Sequence, residues 1–120
     1  LLRRLLGRIL PRRVRRFAIE CDGRILRVLG DGEPIGEIEL ARVAVARAWK
    51  DDLYGVDQVT LALLEREPDE GLSIDEGMEG WDAAMMALDA ALPGFRSRTW
   101  FRLVAFPPGA RNEMEVWRRL

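Results

Sequence analysis

The sequence has no histidine, one cysteine (Cys21), one lysine (Lys50) and one tyrosine (Tyr54) among its 120 residues. A single cysteine excludes any disulfide within the chain. Without histidine, the Cys/His sets that hold structural zinc cannot be assembled. The same absence removes Ser-His-Asp and Cys-His catalysis, since no imidazole is present to take the nucleophile's proton near neutral pH. Glycine-rich phosphate loops of the GxGxxG or GxxxxGK[ST] type do not occur. No cofactor is therefore expected, and no metal. Proline is sparse at 6 residues, and hydrophobic residues make up 48% against 32% charged, a balance that gives a packed core rather than a disordered tail.

Charge of one sign is missing from the beginning of the chain. Residues 1–16 carry seven arginines and no acid, residues 17–95 carry six basic and eighteen acidic side chains, and residues 96–120 carry six arginines against Glu113 and Glu115. An acidic body repels phosphate backbones and argues against nucleic acid as a partner. Residues 1–10 place Leu1, Leu2, Leu5, Leu6, Ile9 and Leu10 at helical spacing, with Pro11 as a stop. The spacing predicts a short amphipathic helix within a basic segment, 1–16, ahead of one domain over 17–120. Ten helical residues span only about 15 Å, half of a bilayer's hydrocarbon core. The run also lacks the unbroken apolar stretch of a signal peptide. Its apolar side needs cover from the chain's own sheet, a second copy or a membrane surface, since so short a helix is marginal alone. Arg3, Arg4, Arg8, Arg12 and Arg13 are the candidate contacts to an anionic membrane.

From Phe17 the period shifts toward two. Phe17, Ile19 and Cys21 alternate with Ala18, Glu20 and Asp22, Asp22-Gly23 supplies a hairpin turn into 25–29, and 30–34 turns again before Ile35, Ile38 and Leu40. Val43, Val45 and Trp49 extend the meander, and Tyr54-Gly55 reads as a turn. The unbroken apolar run Val59 to Leu64 predicts a central strand covered on both faces. Leu72 to Ile74 make a short strand. Ser73-Ile74-Asp75-Glu76 has capping-box spacing ahead of a helix whose stripe is Trp81, Ala84, Met85, Leu88 and Leu92, closed by Pro93-Gly94. Asp75, Glu76, Glu79 and Asp82 are then first-turn acids that favour the helix dipole. Thr99 to Phe106 reads as a strand, and 111–120 as a terminal helix or strand. The expected fold is α+β: an antiparallel meander of about five to seven strands with one main helix in the second half and the short helix at the beginning.

Candidate chemistry is thin. Asp51, Asp52 and Asp57 flank the Tyr54-Gly55 turn, where acids could hold a hard cation, but the spacing matches no EF-hand loop. Solvated turn acids are the commoner reading. Lys50, beside two aspartates, reads as a surface cation rather than a Schiff-base lysine. A carboxylate enzyme would require a deep pocket gathering two or more of Asp51, Asp52, Asp57, Glu76 and Glu79. The tryptophans Trp49, Trp81, Trp100 and Trp117 read mainly as core. Were Trp100 or Trp117 exposed beside Arg98, Arg102 or Arg118, they would instead mark an interaction surface.

The meander closed by a helix resembles the pleckstrin-homology-type roll. Gly80-Trp81-Asp82, Leu92-Pro93-Gly94-Phe95, Trp100, Phe106-Pro107, Asn112 and Trp117-Arg118-Arg119 resemble a group of small, mostly uncharacterised bacterial proteins, some similar to immunity proteins of toxin systems. The resemblance spans roughly 15–119 and includes Asp51 to Tyr54 and Asp57 to Val59. It implies a non-enzymatic interaction module whose acidic body docks a basic protein face by charge complementarity, while the lone thiol of Cys21 points to the reducing cytoplasm. The candidate interaction residues are Asp51, Asp52, Tyr54, Asp57, Trp100, Arg102, Trp117 and Arg118, toward a protein partner or a second copy of the chain. A peripheral membrane-surface protein is the alternative, and a carboxylate enzyme the remote one.

Overall fold

The computed structural model describes residues 14–53, 56–108 and 112–120. The helix expected over 1–10, with its arginines, lies outside the described residues, as does Tyr54. Seven strands and two helices run in the order β1 (Phe17–Cys21), β2 (Ile25–Gly30), β3 (Glu33–Glu39), β4 (Val45–Leu53), β5 (Val56–Arg66), β6 (Glu70–Asp75), α1 (Trp81–Ala91), α2 (Ser97–Ala105) and β7 (Glu113–Arg118). The fold is α+β. Its strands form two antiparallel sheets instead of one meander: β1-β2-β3, and β6-β5-β4-β7.

The first sheet is built by local turn chemistry. The Asp22 carboxylate accepts the N–H groups of Arg24 and Ile25 at 2.9 and 2.8 Å, and Gly23 supplies a φ of +86°. Those backbone donors hold the Asp22 carboxyl below its ordinary value. Asp31 and Gly32, both at positive φ, close β2 onto β3. Ile19, Leu26, Val28, Ile35 and Ile38 turn inward, while Arg27 meets Glu37 across the outer side at 2.9 Å.

The sheets separate where alternation stops. Leu40–Arg42 forms a 3-10 turn that buries Leu40 and Val43, three residues apart, so β3 and β4 do not pair. The Arg119 guanidinium donates to the carbonyls of Val43 and Leu40 at 2.8 and 3.0 Å and stacks on Trp117, pinning this corner. β4 instead lies between β5 and the distant β7.

Residues 50–53 complete β4, and the Leu53–Val56 pair closes the β4–β5 ladder. Two local expectations are corrected. Ser73-Ile74-Asp75-Glu76 is no capping box: Ser73 to Asp75 belong to β6, and α1 starts at Trp81 with Gly80 as its N-cap. Asp82 is the acid of its first turn, and Asp75, Glu76 and Glu79 precede the helix. Thr99 to Ala105 are helical. Ser97, Trp100 and Val104 point inward at steps of three and four, where a strand would have turned alternate residues inward.

Both helices and the first sheet pack on one face of the second sheet. Their shared core includes Leu26, Val28, Leu61, Leu63, Ile74, Leu88, Phe95 and Trp100. Trp81, Ala84, Met85, Leu88 and Leu92 are buried as the α1 stripe predicts. The sheet-to-helix junction is backbone: Ile19 N–H donates to Glu79 O at 2.7 Å, and Glu79 N–H to Phe17 O at 3.2 Å. Gly80 follows at φ +90°, with a Cβ position only 2.4 Å from Ile19 O. Gly80→Ala is expected to cost about 2 kcal/mol or more in urea unfolding, from left-handed strain plus displacement of this junction. Gly94→Ala, also at positive φ (+82°) but with open space around it, should cost about 1 kcal/mol from the backbone alone.

Candidate functional site

The acids at the β4–β5 end divide between two faces. The register pairs Asp51 with Gln58 and Asp52 with Asp57, and alternation sends these pairs to opposite sides of the sheet. On the outer side, the Asp51 carboxylate accepts the Trp49 indole N–H at 2.9 Å and the Thr60 hydroxyl at 3.3 Å. On the core side, Asp57 stands 3.7 Å from the Lys50 ammonium. Glu76 accepts the Val59 N–H at 2.8 Å, and Glu79 pairs with Arg16 at 2.7 Å. Asp51, Asp57, Glu76 and Glu79 are thus each engaged with a different partner. Among the described residues no group of three or more His, Cys, Asp or Glu side chains is placed to hold a metal ion.

Lys50 is not a surface cation. It is 3% exposed, and its Nζ donates to the carbonyls of Ala105 and Pro107 while lying near Asp57. The ammonium thus caps the C-terminal end of α2, where carbonyls lack intrahelical donors and the helix dipole is negative. Asn112 completes that cap: its Nδ2 donates to Val104 O at 3.0 Å and Phe106 O at 2.9 Å. The other end of α2 is held by Asp89 of α1, whose carboxylate accepts the Ser97 N–H and hydroxyl. Sequence reasoning passed over Asp89 and Asn112 as caps because neither is adjacent to the helix end it serves.

The interaction candidates fare differently. Trp100 and Trp117 are 3% and 9% exposed and belong to the core. Trp100 stacks edge-on against Phe95, and the Trp117 indole donates to Pro93 O at 2.8 Å. Arg118 is exposed but engaged by Glu67 and Glu115 at 2.7 and 2.6 Å, with Arg47 reaching the same Glu67 at 3.0 Å. Asp51 is half-buried and hydrogen-bonded. Arg102 remains a solvent-facing cation: with Arg98, Thr99, Leu103 and Phe106 it lines an open groove of about 560 Å³ on α2 and the residue beyond it. Leu103 is 59% and Phe106 62% exposed. Reading this run as a strand hid the patch, because a strand sends Leu103 to the face opposite Arg102 and Phe106, whereas a spacing of three at the helix end sets Leu103 beside Phe106.

Two titrations follow from the surface network. Hydrogen bonds from Arg118 and Arg47 hold the Glu67 carboxyl below its ordinary value of 4.5, and Arg118 does the same for Glu115. A depressed folded value stabilises the protein above the ordinary glutamate value, and the contribution is lost as pH falls through the lowered one. Glu67→Gln should therefore flatten the acid limb of Tm against pH. Asp75 is opposite in sign, raised chiefly by burial, so its ionisation weakens the fold as pH rises through the raised value. Asp75→Asn should lessen the fall of Tm over that range. Lys50→Ala, which strips two carbonyls of their donor and leaves a void, should cost about 3 kcal/mol in urea unfolding. Comparison with known proteins returns no matching family model, no matching curated protein and no matching solved structure.

Proposed function

We propose that this chain is a non-enzymatic interaction module that binds a protein partner through the solvent face of α2. The observation that carries this reading is the patch itself. Two large apolar side chains, Leu103 and Phe106, stand more than half exposed around one groove with the guanidinium groups of Arg98 and Arg102. Aromatic, aliphatic and arginine side chains gathered on a rigid helix face are the composition of interface hot spots. The arginines select an acidic partner segment with apolar anchors. Caps at both ends of α2 present this face in one orientation before binding, which lowers the ordering cost of association.

Selection of peptides from a displayed library on the immobilised full chain tests the assignment. The enriched peptides are expected to combine acidic residues with large apolar ones. Arg102→Glu together with Phe106→Ser should weaken them by at least about tenfold, as loss of a hot spot does. Because both positions are exposed, Tm should stay within about 2 °C of wild type. Equal retention by this variant, or failure to enrich any peptide, removes the α2 surface from the proposal.

A further inference from the structure

The solvent face of α1 has the chemistry that the α2 patch selects. Asp82, Met86 and Asp89 follow one another at steps of four and three, so they share one stripe of the helix. All three are exposed, and Met86, at 74%, is the most open large apolar side chain on either helix. Ala83 and Ala90 are exposed beside it, small enough to let a second helix come close. α1 carries no basic residue and α2 no acidic one, the charges of α2 being Arg98 and Arg102. Among the described residues the side chains of Asp82, Arg98 and Arg102 enter no ion pair or hydrogen bond. One helix thus presents water with a methionine between acids, and the other with arginines beside Leu103 and Phe106.

These two faces adjoin within one molecule. Trp81, which begins α1, lies against Phe101 in the middle of α2 with 6.3 Å between ring centroids, while Asp89, near the end of α1, holds Ser97 at the start of α2. The helices therefore run antiparallel, side by side. Because Asp89 belongs to the exposed stripe of α1 and also touches α2, the two solvent faces are neighbours. A two-fold axis parallel to the helices then sets α1 of one copy over α2 of the other. The same rotation sets α2 over α1, so one self-complementary surface is used twice and closes on itself. In that antiparallel crossing the beginning of α1, with Asp82, meets the end of α2, with Arg102, and Met86 enters the groove lined by Leu103 and Phe106.

We infer, resting on the assignment of α2 as the binding surface, that its partner is a second copy of this chain. The two copies bind reciprocally, Asp82 and Met86 of each α1 against Arg102, Leu103 and Phe106 of the other α2. Sedimentation equilibrium of the full chain tests this: the mass should be that of two chains at about 100 μM and fall toward one at about 1 μM, as for a modest interface. Asp82→Arg and Arg102→Asp should each weaken the dimer at least about tenfold. Both side chains are exposed, so Tm should stay within about 2 °C of wild type. An equimolar mixture of the two variants should recover a one-to-one dimer, because it joins one native Asp82–Arg102 contact with one reversed contact, a rescue that damage to the fold could not give. A monomer at about 100 μM overturns the second copy as occupant, and enrichment of displayed peptides by that monomer then keeps the α2 surface and assigns it to a different protein. A dimer that neither variant weakens, or that mixing does not restore, also overturns the inference and places self-association on another face.

Discussion

The structure is organised around β5, whose residues from Val59 to Leu64 are buried on both sides. A strand with apolar side chains on alternate faces cannot be satisfied by one layer. On the inner side, Val59, Leu61 and Leu63 are met by both helices and by the three-stranded sheet. On the outer side, Ala62 and Leu64 pack with Val45, Ala44 and Trp49, and Arg47 stands opposite Ala62. The two-sided strand thus accounts for the layered core on one face and the smaller apolar cluster on the other.

Placing α2 on the inner layer creates a polar problem, and its solution shapes the proposed binding surface. The end of a helix buried against a sheet leaves carbonyls that water cannot reach. Lys50 and Asn112 supply donors there, and Asp89 accepts at the opposite end. None of these residues belongs to α2. Burying one ammonium against helix carbonyls and Asp57 exchanges its hydration for fixed partners, a favourable trade only where the geometry is already set. The helix is therefore held from outside, and Arg98, Arg102, Leu103 and Phe106 are displayed on a face fixed by contacts behind it.

Much of the strand content was legible from period and turn chemistry. Asp22-Gly23 encodes its hairpin through positive φ and side-chain hydrogen bonds within the turn, and Asp31-Gly32 through positive φ at both positions. The α1 stripe was legible for a similar reason, since five apolar positions agree on one helical face. The helical state of 97–105 was not, because Thr99, Trp100, Phe101 and Val104 favour extended chain and the caps that decide the matter come from 6 to 57 positions away in sequence. Ser73 to Glu76 misled in the other direction, as capping-box spacing carries no weight where a ladder to β5 takes up the backbone groups. Of the candidate site, Arg102 was recognised, while Trp100, Trp117 and Arg118 are committed to packing and ion pairs.

By itself the sequence determined what chemistry is absent: with no histidine, one cysteine and one lysine, whole classes of catalysis and metal binding are closed whatever the fold. It also determined the two-faced central strand, the turns and the main helix, because these depend on neighbours within a few residues. Tertiary structure decided the split into two sheets, the insertion of β4 between β5 and β7, the burial of Lys50 and the exposure of the α2 patch. Each of those rests on pairing between distant segments, where the free energy comes from desolvation and hydrogen bonding across the fold and leaves no periodic mark on the chain.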